Sequence, residues 1–178
     1  MTTRQAMTSE FSRLLKPGMR GLDLGAGSGI VAASFAQSGL RTVLGVDRMP
    51  DPRLPGVQWI QADLRNGLRT VLGDQDPFDF IVCWDLIQFL SRNYVLEEFL
   101  PSLSHYTKPG CLLSVCTFWS NPNPPLGIFI PSYFLARDLE YVFRFWEILT
   151  SEEVEIEEPG LDGDNRTWRV TNILARFR

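Results

Sequence analysis

The chain has 178 residues, 44% of them hydrophobic and 21% charged, the balance of an ordinary globular domain. Its net charge of −4 offers no basic field to nucleic acid phosphates, and no apolar run approaches the ~20 residues that span a bilayer. The opening Met1-Thr2-Thr3-Arg4-Gln5-Ala6-Met7 lacks the apolar h-region of a signal peptide. The expectation is a cytoplasmic protein, monomeric or weakly dimeric, with no nucleic acid partner and no membrane contact.

Met7, Phe11, Leu14 and Leu15 recur at helical spacing, which predicts an amphipathic helix within residues 1–18 that stops before Pro17-Gly18. A first strand covers Arg20 to Leu24 and runs into the loop Gly25-Ala26-Gly27-Ser28-Gly29. Ile30, Val31, Ser34 and Phe35 then mark a helix that ends at Gly39. A second strand, Thr42 to Val46, leads to Asp47, and a proline-rich link carries the chain to a third, Val57 to Ile60, ending near Asp63. Leu64 to Leu72 reads as a short helix.

Phe78 to Trp84 is a continuous apolar run, as in a strand covered on both faces. Val95, Leu96, Phe99, Leu100 and Leu103 give a helix that Pro101 should kink or divide. Lys108-Pro109-Gly110 reads as a turn before a fifth strand, Cys111 to Phe118. Leu135, Leu139, Val142 and Phe143 mark a helix, and two strands follow, Trp146 to Ile156 and Thr167 to Phe177. Alternating strands and helices predict a parallel sheet with right-handed crossovers. The last two strands have no helix between them and must pair antiparallel. The three cysteines, Cys83, Cys111 and Cys116, have no metal-ligand spacing and read as small buried hydrophobes, so no metal is expected.

Glycines at Gly25 and Gly27 allow a sharp turn and let a ligand lie against main chain. A dinucleotide loop, G-x-G-x-x-G, would place its third glycine where this chain has Ile30. Asp23, Gly25, Gly27 and Gly29 instead fill the pattern D/E-x-G-x-G-x-G, which resembles motif I of the class I S-adenosylmethionine-dependent methyltransferases. The terminal hairpin agrees with that resemblance. It implies one domain over residues 1–178: an α/β, Rossmann-like, seven-stranded sheet in order 3-2-1-4-5-7-6, with strand 7 antiparallel and helices on both faces.

The resemblance implies S-adenosyl-L-methionine as cofactor and S-adenosyl-L-homocysteine as product. Asp23, Gly25, Ala26, Gly27 and Gly29 would form the loop around the amino-acid moiety, Asp23 either meeting its ammonium or holding the loop in shape. Asp47, with Arg48 beside it, would take the ribose hydroxyls; capping a turn is its other reading. Asp63 and the N–H of Leu64 would meet the adenine, while Asp63 also suits a helix N-cap. Trp84 and Asp85 close strand four, where the resemblance puts the amino-acid end of the cofactor and the start of the substrate site, though Trp84 equally suits the core. Asp85 is the candidate general base, whereas His105 falls near the amino end of strand five, away from the cleft.

Residues 119–134 form an apolar, proline-rich stretch that reads as a substrate lid containing Trp119, Phe129 and Tyr133. Asn121-Pro122 follows strand five rather than strand four, so it does not match the N-P-P-Y signature of amino-group nucleic acid methyltransferases. Tyr133 to Phe143 and Trp146-Glu147-Ile148-Leu149 look locally like the tellurite-resistance-type small-molecule methyltransferases. Glu152, Glu153, Glu155, Glu157 and Glu158, with Arg166, Arg169, Arg176 and Arg178, read as charge pairing across the hairpin. The leading expectation is methyl transfer to a small molecule by in-line displacement. A non-catalytic cofactor-binding protein and a nicotinamide-dependent oxidoreductase are the alternatives.

Overall fold

Seven strands form one sheet in the order β3-β2-β1-β4-β5-β7-β6 in a computed structural model that describes residues 11–120, 132–159 and 165–178. They are β1 (Arg20–Leu24), β2 (Thr42–Asp47), β3 (Val57–Gln61), β4 (Phe78–Trp84), β5 (Thr107–Ser120), β6 (Glu147–Pro159) and β7 (Asn165–Arg176). The first five pair in parallel, and β7 pairs antiparallel with both β5 and β6. β1 and β4 lie centrally and are nearly all buried, whereas β3 at the edge has no fully buried residue. The expected order and the antiparallel seventh strand are both present.

The sheet separates two apolar layers. On one face Phe80 and Val82 meet Phe35 of α1 (Ile30–Gln37) and Phe11 from helical residues 11–14. Phe11, Phe35 and Phe80 meet edge to face at 5.3–5.9 Å, the geometry aromatic quadrupoles prefer. On the other face Ile81, Cys83, Leu113, Val115 and Ile173 pack under the helical segments. These are α2 (Leu68–Leu72), α3 (Arg92–Tyr94), α4 (Leu100–Ser102) and α5 (Ala136–Val142). All three cysteines are buried and reduced, and burial pushes the Cys111 thiol up to about 12.

Several boundaries differ from expectation for local reasons. Gly67, at φ +86°, breaks the stretch 64–72 into a 3₁₀ turn (Leu64–Asn66) and α2. Pro101 has no N–H to give a preceding carbonyl. The chain absorbs that loss in a π-helical turn, Val95–Phe99, between α3 and α4, so the path bends without ending. Lys108-Pro109-Gly110 lies inside β5 as a bulge, between the pairs Phe78↔Thr107 and Phe80↔Leu112. The bulge is tied to the chain end, Gly110 N–H donating to the Phe177 carbonyl at 2.9 Å. Of the expected first helix, Met7 lies outside the described residues, as do 121–131 of the expected lid.

The hairpin edge carries cross-strand ion pairs as expected, with Arg169 on Glu155 at 2.6 Å and Arg176 on Glu147 at 3.0 Å. Both pairs are exposed and contribute little stability. Among the described residues, no helix is long and apolar enough to cross a membrane.

Gly21 marks the tightest approach between β1 and β4. A Cβ there would lie 1.9 Å from Cζ of the buried Phe80 ring. Gly21→Ala is therefore expected to lower the free energy of unfolding by about 1–3 kcal/mol, the usual cost of overpacking. Urea denaturation checks this; an unchanged midpoint would contradict it.

Candidate functional site

β1, β2, β3 and β4 all end at one edge of the sheet, and each strand tip carries a carboxylate or the glycine loop. After Leu24 the chain turns through Gly25, Gly27 and Gly29 at φ +74°, +55° and +75°, a left-handed region that favours glycine. The three glycines do different work. A Cβ on Gly25 would press Leu86 at 2.8 Å, and one on Gly29 would press Leu54 at 2.7 Å. Among the described residues, one on Gly27 would meet nothing nearer than the Gly25 carbonyl at 4.0 Å, so they leave the space over Gly27 open.

The loop is held from β2. The Val46 carbonyl accepts from the N–H groups of Gly25 at 2.8 Å and Ala26 at 3.1 Å. Asp47 Oδ2 accepts from Gly27 N–H and Oδ1 from Met49 N–H, both at 2.9 Å. Asp47 therefore does more than the sequence suggested, because it shapes the glycine loop and its own following turn together. Each of its oxygens retains a second lone pair for a hydroxyl donor.

Beneath the loop, Asp23 is 3% exposed, and its Oδ2 has no hydrogen-bond partner among the described residues. Burial is the main cause that raises its carboxyl to about 7; the Ala32 N–H opposes that rise and nearby Asp47 adds to it. A half-satisfied acid at this depth is costly unless a donor or cation completes it.

Arg48 is exposed, and its carbonyl accepts from Gln61 Nε2 at 3.2 Å, while Trp59 Nε1 donates to the Met49 carbonyl at 3.1 Å. These clamps from β3 were not apparent in the sequence. Asp63 caps the 3₁₀ turn by accepting from Arg65 N–H at 3.0 Å. Its hydrogen bonds with the Arg65 side chain and N–H hold its carboxyl down to about 2. Leu64 is buried, and its carbonyl accepts from Tyr94 Oη at 2.7 Å.

Trp84 turns into the core, its ring edge-on to Phe11 and Phe35 and its Nε1 donating to Ser114 Oγ at 2.8 Å. Its side chain follows the core alternative. Asp85 takes a left-handed conformation at φ +54°, rare for a residue with a side chain, while its N–H donates to the Cys116 carbonyl at 2.9 Å. Such backbone strain clusters at functional sites. His105 is exposed in the 3₁₀ turn Leu103–Tyr106 before β5, away from these strand tips as expected.

Near the end of β5, inside the strand rather than in the expected lid, Trp119 is half-buried at a register shift in the β5–β7 pairing, with the Arg169 guanidinium 5.1 Å from its ring centre. Tyr133 packs on the cluster of Cys116, Phe118, Ile156 and Val170. Phe129 lies outside the described residues. The sequence reading missed Gln88, which is 1% exposed and accepts from Thr117 Oγ1 at 3.1 Å. Its backbone carbonyl also takes Ser132 N–H at 3.2 Å, tying the turn after β4 to the last residues of the expected lid. A lone amide inside Leu86-Ile87-Gln88-Phe89-Leu90 was the available signal. Among the described residues no cluster of His, Cys, Asp and Glu could hold a metal ion.

A strand-end carboxylate above a glycine turn, in a sheet closed by an antiparallel hairpin, defines a class of nucleoside-binding α/β proteins. Residues 2–152 match the family model described as a methyltransferase domain, and the chain belongs to that family. The fold is shared with TehB from Haemophilus influenzae at 19% identity and a TM-score of 0.79, covering 97% of this chain and 62% of that one. It is also shared with the 1,6-didemethyltoxoflavin-N1-methyltransferase of Burkholderia thailandensis, solved with bound 1,6-didemethyltoxoflavin and S-adenosylhomocysteine. That match has 17% identity and a TM-score of 0.72 over 97% and 77% of the two chains. A third is the N-methyltransferase NodS of Bradyrhizobium japonicum in complex with S-adenosylhomocysteine, at 14% identity and a TM-score of 0.67 over 98% and 85%. The chain thus spans less than two-thirds of TehB. A comparison with curated proteins finds none that matches.

The Asp23 carboxyl dictates a pH dependence. Its folded value, about 7, lies above the ordinary 3.8, so the fold favours the protonated form. Stability is then greatest below the unfolded value, falls as pH rises from about 4 to 7, and levels off above. At ~1.4 kcal/mol for each pH step between those two values, the fall amounts to a few kcal/mol. Asp23→Asn should remove it, leaving the variant more stable than wild type at pH 7.5 but not at pH 4. Urea melts at both values test this, and equal differences at the two would contradict it.

Proposed function

We propose that this chain is an S-adenosylmethionine-dependent methyltransferase acting on a small molecule. Family membership makes S-adenosylmethionine the cofactor. The observation that carries the site assignment is the buried Oδ2 of Asp23, unpaired among the described residues, together with the space that those residues leave at Gly27. A buried acceptor with no donor fits the ammonium of an amino-acid moiety, and a glycine with nothing over it lets that moiety lie on the backbone.

In this reading Asp23 faces the ammonium, and Gly25, Ala26, Gly27 and Gly29 shape the cradle. Asp47 keeps its loop bonds while its spare lone pairs take the ribose hydroxyls, with Arg48 on the rim. Asp63 and Leu64 flank the adenine; the Asp63 ion pair with Arg65 is exposed and is exchanged readily for a ligand contact. Trp84 supports the floor from within the core, and Asp85 holds the amino-acid end or takes a proton where the acceptor must lose one. Trp119 and Tyr133 line the acceptor wall.

The cofactor supplies a methyl group on a sulfonium-activated carbon. The protein's task is alignment of the acceptor atom and exclusion of water, and positioning of that kind can lower a barrier by ~7–11 kcal/mol. No dedicated acid–base pair is required. The net charge of −4 favours a small acceptor over a polyanion.

Calorimetry tests the assignment. S-adenosylhomocysteine should bind, NADH should not, and Asp47→Ala should weaken binding at least tenfold. Asp23→Asn should weaken S-adenosylhomocysteine but spare 5′-methylthioadenosine, which has no amino-acid moiety. NADH binding in place of S-adenosylhomocysteine would overturn the reading. Saturation with S-adenosylmethionine and no labelled methyl transferred to any of a broad metabolite panel would favour a binding protein over an enzyme.

A further inference from the structure

One glutamate of the acidic run behaves unlike its neighbours. Glu147 and Glu155 pair with arginines across the hairpin, and Glu153 accepts the Ala136 N–H at 2.8 Å. Glu152 is half-buried, and among the described residues no cation pairs with it. Its Oε1 accepts from the side-chain amide of Asn172 at 3.1 Å, directly across from it in the β6–β7 register.

That bond fixes the orientation of the amide. A carboxylate only accepts, so the Asn172 nitrogen must face Glu152 and Oδ1 must face away. Asn172 is 1% exposed, and Oδ1 has no partner among the described residues. Leaving a buried amide oxygen unsatisfied is costly, and such groups in native folds call for an explanation. Two oxygens meet at this spot, one neutral and one charged. Its missing complement is a cationic hydrogen-bond donor.

The register places the pair relative to the cofactor cleft. Trp84, Cys116, Asn172 and Glu152 occupy one row across β4, β5, β7 and β6. Two strand spacings of ~4.8 Å put Asn172 roughly 10 Å from the tip of β4. The apolar cluster around Cys116 is rich in aromatic rings, with Phe118 stacked on Trp168 at 4.8 Å and with Trp84 and Tyr133 packed against it.

We propose that Asn172 and Glu152 form a recognition site for an ammonium group on an aromatic methyl acceptor, remote from the atom that is methylated. The inference rests on the methyltransferase reading and names the acceptor class for the same cleft. Asn172 Oδ1 takes an N–H of the ammonium, and Glu152 supplies the charge and holds the amide in place. Because the ammonium sits about 10 Å from the cleft, its protonation does not block the nucleophile.

Benzylamine, benzyl alcohol and benzoate, titrated into the full chain saturated with S-adenosylhomocysteine, test this. Benzylamine should bind at least tenfold tighter than benzyl alcohol, and benzoate should not bind. Glu152→Gln keeps an acceptor for the amide and should abolish the preference for the amine; Asn172→Ala should weaken benzylamine at least fivefold. Thermal melting and S-adenosylhomocysteine affinity are measured on each variant, and if Asn172→Ala does not fold, Glu152→Gln decides. Equal binding of amine and alcohol, an unaltered preference in Glu152→Gln, or no binding of benzylamine would overturn the proposal. Failure of S-adenosylhomocysteine itself to bind would instead overturn the methyltransferase reading.

Discussion

The architecture of the cleft depends on a buried carboxylate that the described residues satisfy only in part. Asp23 lies on the central strand, under the glycine loop and against the start of α1, with one oxygen unpaired among the described residues. Hydrophobic burial of β1 on both sides compels that placement, since Leu22 and Leu24 are fully enclosed and the backbone between them has no freedom to turn outward. The loop above is then fixed by Val46 and Asp47 from the adjacent strand. Neighbouring strand tips thus act as one unit: the core sets Asp23, β2 sets the loop, and Gly27 leaves the gap.

The remaining sheet extends that logic towards the acceptor. Asp85 departs from β4 in a left-handed conformation while its N–H stays bonded to β5. Gln88 then links the same turn to Thr117 on β5 and to Ser132. A buried polar network of this kind rigidifies a site when its members are satisfied. The hairpin of β6 and β7 adds a further row of side chains alongside, where Glu152 and Asn172 stand apart from the solvent-facing ion pairs.

Much of this was legible in the residues. Apolar runs located the strands, the absence of a helix between the last two required a hairpin, and the glycine spacing separated the loop from a dinucleotide turn at Ile30. What escaped depended on contacts between distant residues. Nothing local distinguishes Gly27, with open space, from Gly25 and Gly29, whose neighbours come from Leu86 and Leu54. The π turn before Pro101 and the bulge at Lys108-Pro109-Gly110 arise because tertiary pairing overrides the local signals to stop. Trp84 could be read either way until Phe11 and Phe35 were seen to enclose it. Asp47 gained a second role for the same reason, as its bond to Gly27 joins the tip of β2 to the loop after β1.

The central claim is that Asp23 is completed by the ammonium of the cofactor, and proton counting measures that most directly. Titration of S-adenosylhomocysteine at pH 6.5 in two buffers of different ionisation enthalpy reports the protons exchanged on binding. An acid near 7 that ionises to meet an ammonium must release most of one proton, and Asp23→Asn must release none. Tight binding with no proton released by the wild-type protein, or equal release by both, would contradict the account.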